Sequence, residues 1–358
     1  MKFPSLKIGD LVSRIPIIQG GMGVGISLSG LASAVANEGG IGVIAAAMIG
    51  MNEPDIMKNP VEANTRALRK EIQKAREMTD GIIGVNIMVA LTHFAELVKT
   101  SIQEKVDIIF AGAGLPMDLP GYLTEGAKTK LAPIISSARA ASLISKKWLA
   151  KYNYLPDAFV VEGPKAGGHL GFKNEQIDDP EFALEKLVKE VVEEVKPIEA
   201  EHNKTIPVIA AGGVYTGADI KKFIDLGASG VQMGTRFVAT HECDAADGFK
   251  QALINAGKDD LMIIKSPVGL PGRAVRNAFL EEVEAGGKAP FNCPYQCIKT
   301  CKKEASPYCI ALALAGAKMG KFKNGFAFAG ANAYRLTGLM SVKELIDSLR
   351  SEFEAAPA

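Results

Sequence analysis

The sequence predicts an α/β fold: a (β/α)8 TIM barrel followed by a small, mostly helical insertion. Three observations support this prediction: eight short apolar segments, amphipathic segments between several of them, and a change of pattern after about residue 240. Continuous apolar runs are typical of strands buried on both faces of a parallel sheet. Eight strand–helix units within about 240 residues fit the closed barrel better than an open doubly wound sheet.

Each predicted strand is rich in Val or Ile and ends in small or polar residues. The strands are Ile15–Met22, Ile41–Ala47, Ile82–Met88, Asp107–Gly114, Leu131–Ser137, Ala158–Gly163, Pro207–Gly213 and Gly230–Phe237. Apolar residues near a 3.6-residue period, or a turn followed by such residues, indicate helices between the strands. These helices are Leu28–Glu38, Pro60–Thr79, Glu181–Glu201 and Gly217–Leu226.

The pattern divides the chain into three parts. Residues 1–239 form the predicted barrel, 240–323 a small helical insertion with a cysteine cluster, and 324–358 a segment whose helix closes on the barrel. Within the last two parts, the predicted helices are Asp244–Ala256, Ile310–Met319 and Ser341–Phe353.

Composition excludes several classes of protein. The chain has 358 residues, of which 47% are hydrophobic and 23% charged, which excludes a disordered chain. A net charge of +1 provides no basic field for nucleic acid. The apolar runs are shorter than the roughly 20 residues that span a bilayer, so we expect no membrane segment. We therefore expect a cytoplasmic protein, whose five cysteines stay reduced, and a homodimer as its assembly.

Two glycine-containing loops predict a phosphate site. The segment AAGG contains Gly212 and Gly213 at the end of the seventh strand, and VQMGTR at the end of the eighth contains Gln232, Met233, Gly234 and Thr235. TIM barrels often bind phosphate with the loops after strands seven and eight. Glycine lets backbone N–H groups approach an anion closely, and a threonine adds a hydroxyl donor.

The loop after the sixth strand places a histidine among glycines. The sequence VEGPKAGGHLGF contains Glu162, Gly167, Gly168 and His169. A histidine on a loop at the carboxyl face of a barrel is a candidate general acid or base near neutral pH. The glycines leave open space around its ring, which favours this function over a purely structural one.

Other strand ends contribute polar groups that suit the edge of a flat heteroaromatic ring. They are the Asn86 amide and the backbone of Gly21 and Met22. The sequence has no Ser-His-Asp spacing, HExxH helix, Walker loop or GxGxxG fingerprint.

Four of the five cysteines are clustered with the spacing C-x3-C-x3-C-x7-C: Cys293, Cys297, Cys301 and Cys309. This cluster predicts either an iron–sulfur cluster or zinc. Reduced buried thiols on a helix and redox-active thiols are the alternatives. On one continuous helix, the first and third cysteines would lie about 12 Å apart along the axis, so ligation requires the helix to break.

The motifs PIIQGGM, GVN at Asn86, AGGHLG, AAGG and GVQMGTRF resemble the nitronate monooxygenase (2-nitropropane dioxygenase) family of FMN-dependent TIM barrels. This family includes enoyl-acyl-carrier-protein reductase II, and SPVGLPGRAVRN is similar to its post-barrel segment. The resemblance covers roughly residues 10–280. It implies bound FMN, with Gly213 and the Gln232–Thr235 loop at the phosphate. It also implies that Asn86, Glu162 and Gly167 lie near the ribityl chain and ring, and that His169 is catalytic.

The resemblance leaves the reaction open. The first expectation is oxidation of alkyl nitronates with O2, and the second is reduction of an enoyl thioester or quinone with NAD(P)H as donor. Two features are more similar to the reductase branch. Nitronate-oxidising members usually have a glutamine where this chain has Glu162, and the motif GGHRG where it has GGHLG. A flavin-free lyase that binds a phosphorylated sugar and a flavin or metal-cluster sensor are further alternatives.

Overall fold

The computed structural model, which describes residues 2–287, 293, 295–302 and 304–357, contains an eight-stranded parallel barrel. All eight predicted strands are confirmed, and each is shorter than its apolar segment. The barrel strands are β1 (Ile17–Gln19), β2 (Gly42–Ala45), β3 (Ile83–Met88), β4 (Ile108–Gly112), β5 (Lys130–Ile135), β6 (Phe159–Glu162), β7 (Val208–Ala211) and β8 (Gly230–Met233).

The barrel closes between β1 and β2. From β2 to β8 each strand pairs with the next in the chain, and β8 pairs with β1. A parallel bridge joins Ile18 to Ile41, with the Gln19 N–H donating to the Ile41 carbonyl at 2.9 Å. The buried Gln19 side chain accepts a hydrogen bond from the Val43 N–H at 2.9 Å and reinforces the junction. Closure brings the carboxyl ends of all eight strands to one rim.

An N-terminal hairpin covers the opposite end of the barrel. Its antiparallel strands are Leu6–Ile8 and Leu11–Ser13. Leu6 and Ile8 are fully buried and belong to the apolar cluster that fills the barrel interior, with Phe110 and Val160 among its members. Because this end is plugged by side chains, the carboxyl rim is the end at which a ligand site can form.

Helices surround the barrel and extend into the insertion. Those that follow strands are Ser29–Asn37, Pro60–Met78, Phe94–Gln103, Ala138–Tyr152, Leu184–His202, Gly217–Asp225 and the short Thr235–Val238. Those beyond the barrel are Asp247–Ile254, Ala278–Glu284, Ile310–Lys318 and Val342–Ala355. None of the helices in the described residues has the length and apolarity needed to cross a bilayer.

The C-terminal helix, Val342–Ala355, packs on the barrel. It lies against Gly217–Asp225, the helix that follows β7. The contact is close: a Cβ atom on Gly217 would lie 2.0 Å from the Leu349 carbonyl oxygen. Glycine at position 217 therefore permits the two helices to approach.

The insertion contains strands as well as the predicted helices. Leu261–Lys265 pairs antiparallel with Pro271–Val275, and Gly168–His169 from the barrel loop adds a third strand. The sequence prediction of a mostly helical segment missed this ribbon, because prolines and glycines interrupt the apolar pattern of Ser266–Pro271. One small sheet thus joins the insertion to the β6 loop.

Asp244 of the insertion caps the first barrel helix. Helix Ser29–Asn37 has no side-chain cap of its own. The Asp244 carboxylate accepts hydrogen bonds from the backbone N–H groups at the start of this helix. The donors are Leu28 at 2.7 Å, Leu31 at 3.1 Å and, as a third, Gly30. Burial raises the pKa of Asp244, while these backbone hydrogen bonds oppose the shift. The cap therefore connects segments more than 200 residues apart.

We expect Asp244→Ala to lower the free energy of unfolding by about 2 kcal/mol or more, because three N–H groups lose a charged acceptor. Chemical denaturation followed by circular dichroism measures the effect. Asp80→Ala is the control, since Asp80 is exposed and its side chain makes no hydrogen bond among the described residues; its effect is expected within about 0.5 kcal/mol. Equal effects of the two substitutions would contradict the capping function.

Candidate active site

A cavity of about 790 Å³ opens at the carboxyl rim of the barrel. Every residue that the sequence predicted for the flavin site lines it. These residues are Gly21, Met22, Asn86, Glu162, Gly167, Gly168, His169, Gly212, Gly213, Gln232, Met233, Gly234 and Thr235. The barrel thus brings the ends of five strands, β1, β3, β6, β7 and β8, to one space, while the function of each residue stays a prediction.

The loops after β7 and β8 line one end of the cavity. Gly212 and Gly213 have φ angles of +89° and +101°, which side chains rarely adopt. The N–H groups of Gly213 and Gly234 donate to no protein acceptor in the described part of the chain. A Cβ atom on Gly213 would lie 2.9 Å from the Lys165 Cβ, so this lysine stands directly beside the loop. Two unpartnered donors near a cationic side chain suit a phosphate group.

The segment after the insertion completes this end of the cavity, and the sequence analysis did not predict its contribution. Gly330 N–H donates to Thr235 Oγ1 at 3.2 Å, and Asn332 Nδ2 donates to the Gly213 carbonyl at 2.7 Å. A Cβ atom on Gly167 would lie 2.7 Å from Gly330 N, which shows how closely the β6 loop approaches. Gly330 had a weak sequence signal, in the run FAFAGANA, but no spacing linked it to the barrel loops.

The carboxyl end of β1 approaches β3 closely at Gly21. A Cβ atom on Gly21 would lie 2.3 Å from the Asn86 Cβ, so only glycine lets the Asn86 amide take its position. Met22 packs over Gly234, whose added Cβ would lie 3.3 Å from the Met22 sulfur. In this part of the cavity the wall is formed by the backbone at Gly21 and Gly234 and by the side-chain amide of Asn86.

Glu162, at the end of β6, is half-buried against the cavity. Burial raises the pKa of its carboxyl to about 7. Desolvation is the cause of this shift, and no ion pair or hydrogen bond of Glu162 among the described residues offsets it. The carboxyl group therefore holds its proton in slightly acidic solution and loses it near neutral pH.

His169 stands on the small sheet that joins the β6 loop to the insertion. Its Nε2 lies 2.7 Å from Ser266 Oγ, and its ring packs edge-on against Phe328 with centroids 5.0 Å apart. Burial lowers the pKa of His169 to about 4, so the imidazole is neutral at physiological pH. The sequence prediction of an acid or base that titrates near neutral pH is thus modified: the structure favours a neutral hydrogen-bonding group.

A buried arginine supports the histidine loop. Arg273, on the strand next to Gly168–His169, donates to the carbonyls of Pro164 and Ala166 at 2.6 and 2.9 Å. Arg273 and Ser266 both belong to the insertion, and the sequence analysis named neither as a site residue. Their contribution depends on strand pairing between distant segments, which a single sequence does not reveal.

The four clustered cysteines line a second cavity of about 140 Å³, called here the cysteine cavity: Cys293, Cys297, Cys301 and Cys309. Residues 295–302 form no helix, so the alternative of cysteines on one continuous helix is wrong. None of the four is in a disulfide. In the described ranges, no three His, Cys, Asp or Glu side chains are arranged to hold a metal ion.

Solved structures with the same architecture identify the class of protein. FabK from Thermotoga maritima matches with a TM-score of 0.72 and 29% identity, over 96% of this chain and 93% of that one. A nitroalkane oxidase from Streptomyces ansochromogenes matches with a TM-score of 0.73, over 96% of each chain, and at 23% identity supports the fold alone. The chain therefore shares the TIM-barrel fold of these structures.

The sequence comparisons identify the family. A family model described as nitronate monooxygenase matches residues 5–352, and the chain belongs to that family. A probable nitronate monooxygenase from Staphylococcus aureus is 29% identical over 304 residues, or 75% of this chain and 77% of that protein. The (3aS,4S,5R,7aS)-5-hydroxy-7a-methyl-1-oxo-octahydro-1H-indene-4-carboxyl-CoA dehydrogenase of Mycobacterium tuberculosis is 30% identical over 274 residues, or 76% of this chain and 66% of that protein. The resemblance stated from the motifs is thereby confirmed.

We expect the imidazole of His169 to titrate with a pKa about 4, because burial disfavours the charged ring. Proton NMR of the histidine ring signals between pH 3 and pH 8 measures this value. The spectrum of His169→Gln, which lacks one set of signals, assigns the resonance. A midpoint between pH 6 and pH 7 for that resonance would contradict the expected desolvation.

Proposed function

We propose that this chain is an FMN-dependent oxidoreductase that oxidises alkyl nitronates with O2. The observation that supports it most is the single rim cavity, where unpartnered N–H groups of Gly213 and Gly234 stand at one end and a neutral His169 at the insertion side. Membership of the nitronate monooxygenase family supports the same reaction. That membership also argues against a flavin-free lyase.

The residues present fit FMN. In the proposal, Gly213, Gly234 and Thr235 hold the phosphate through N–H and hydroxyl donors, with Lys165 adding positive charge. Asn86 then provides a side-chain amide for the polar edge of the ring. The bound flavin would supply an electron-accepting isoalloxazine.

Glycines supply the space that the ring requires. Gly168, with φ of +81°, has no atom within 4 Å of a built Cβ position, so open space lies beside it. Glu162 is proposed to stay largely protonated below neutral pH and so to add no full negative charge beside the flavin. Above pH 7, its ionised carboxylate would oppose any further negative charge at the same place.

In the proposal, His169 orients the substrate. Its Nδ1 has no hydrogen-bond partner among the described residues, while Nε2 is engaged by Ser266. With the Ser266 hydroxyl donating to Nε2, Nδ1 carries the proton and donates to an oxygen of the nitronate. Because the ring is neutral at physiological pH, this hydrogen bond does not require protonation of the imidazole.

A second candidate is NAD(P)H-dependent reduction of an enoyl thioester or quinone. The size of the cavity and its apolar walls favour it, since 790 Å³ is more than a flavin with a short nitroalkane needs. The apolar wall residues beyond the predicted flavin residues include Val24, Leu143, Leu253, Leu270, Leu314 and Phe328. Glu162 and the likeness to FabK support this candidate as well.

Anaerobic mixing of the FMN-loaded protein separates the two reactions. Bleaching of the flavin absorbance by propyl-2-nitronate alone, followed by recovery on admission of O2, supports nitronate oxidation. Bleaching by NADH or NADPH, with recovery on addition of an enoyl thioester, supports the reductase and overturns the first proposal. A colourless protein that takes up no FMN would overturn both.

We expect Thr235→Val to weaken FMN binding by roughly 10-fold or more, since a hydrogen bond to a charged group contributes about 1.5–3 kcal/mol. Riboflavin, which lacks the phosphate, should bind the variant as it binds the wild type. Flavin fluorescence titration measures both affinities. Thr235→Ser retains the hydroxyl and is the control. An equal loss of affinity for FMN and for riboflavin would contradict a contact between Thr235 and the phosphate.

We expect His169→Ala to retain FMN and to lose at least about 10²-fold in turnover, which is typical of a positioned polar group at a reacting centre. Flavin content and steady-state rates with the substrate identified by the mixing experiment measure the two properties. His93→Ala is the control, because His93 does not line the cavity. Wild-type turnover in His169→Ala would contradict the assignment.

A cytoplasmic location, a homodimer and NAD(P)H as donor stay predictions from the sequence. Size-exclusion chromatography with light scattering tests the dimer. The anaerobic mixing experiment tests the donor.

A further inference from the structure

The cysteine cavity differs from an ordinary packed core. Its four thiols come from a segment of 17 residues, and Cys243, the fifth cysteine, lies outside it. Close-packed interiors keep few voids larger than a water molecule. Thiols that served only as small apolar side chains would fill such a space. Here they surround a cavity of about 140 Å³.

The backbone around the cavity holds the sulfurs in defined positions. The Gln296 N–H donates to Cys293 Sγ at 3.4 Å, and Cys301 Sγ lies 3.7 Å from Ser306 Oγ. Cys309 directly precedes helix Ile310–Lys318, and its side chain makes no capping hydrogen bond to that helix. Hydrogen bonds of this kind to cysteine sulfur tune iron–sulfur sites.

The surroundings of the cysteines are apolar, and the segment of the chain that carries them has an excess of basic residues. Val24, Met48, Ile56 and Tyr295 pack around the cysteines. In the described residues from 293 to 323, the acidic side chain is Glu304, whereas the basic ones are Lys299, Lys302, Lys318, Lys321 and Lys323. An excess of positive charge offsets the net negative charge that four thiolates bring to a cluster.

The spacing of the ligands distinguishes one ion from a cluster. A zinc ion with Zn–S bonds of 2.3 Å needs its sulfurs about 3.8 Å apart. The cysteines surround one cavity without forming such a single-ion group. A four-iron cluster, which contains its own sulfide, holds its four thiolates farther apart.

We propose that the four residues of the cysteine cavity bind a [4Fe–4S] cluster. The break in helical structure over residues 295–302, which ligation requires, supports this assignment. Cys297, Ile298 and Ile310 line both the cysteine cavity and the large rim cavity. The cluster would therefore stand across a thin wall from the proposed flavin site. The proposal does not depend on the reaction proposed above.

The test is an analysis of the full-length wild-type chain, purified anaerobically and reconstituted with equal amounts of Fe²⁺ and Fe³⁺ and with sulfide, the mixture that matches the oxidation level of a [4Fe–4S]²⁺ core. We expect about four iron and four sulfide per chain, as in a Cys₄-bound [4Fe–4S] centre. Mössbauer spectra, to which flavin does not contribute, should show the signature of a [4Fe–4S] core. Flavin released by heat is quantified separately, so loss of the cluster and loss of the proposed flavin are distinguishable.

Variants identify the ligands. We expect Cys301→Ser and Cys309→Ser to lose at least half of the iron, whereas Cys243→Ser keeps the wild-type content. Cys243 is buried and donates to the Ile26 carbonyl, away from the cavity, so it is a matched control. Should the cavity variants fail to fold, the wild-type spectra decide the question.

Three results would overturn the proposal. The first is zinc as the bound metal after reconstitution. The second is five titratable thiols, or disulfides, with no iron retained by the wild type. The third is an equal loss of iron in Cys243→Ser and in the cavity variants.

Discussion

Closure of the barrel between β1 and β2 is the constraint on which the site depends. The Ile18–Ile41 bridge and the buried Gln19 side chain complete the ring. Once the ring is closed, β8 lies next to β1, so the loops at Gly21 and Gly234 become neighbours although more than 200 residues separate them. The hairpin at the other end fills the interior. The rim therefore holds both the polar groups and the empty space.

The chemistry of the site follows from desolvation. Burial shifts the pKa values of two groups on the wall of the rim cavity: it raises that of Glu162 and lowers that of His169. Both changes favour the uncharged form of the side chain. In slightly acidic solution the cavity therefore contains two neutral titratable groups. A low-dielectric environment of this kind strengthens every hydrogen bond made inside it.

The parts predicted from the sequence are those with local signals. Runs of Val and Ile located the eight strands, and the glycine loops located Gly213, Gly234 and the neighbourhood of His169. Ser266 and Asn332 were missed, because their positions depend on the ribbon and on the chain that returns after the insertion. The ribbon itself was hidden by its prolines and glycines. The neutral state of His169 could not be predicted, since burial is a property of the folded chain.

The pairing of Gly168–His169 with Pro271–Val275 has a consequence for how this protein could be divided. The histidine stands on a strand whose neighbour belongs to the insertion, and Ser266 and Phe328 both contact its ring or nitrogen from beyond the barrel. A barrel trimmed to its eight strand–helix units would retain the glycine loops and lose the partners of the imidazole. Transplanting the appended region between homologous scaffolds would accordingly exchange the groups that hold the imidazole, while the histidine itself would stay with the barrel.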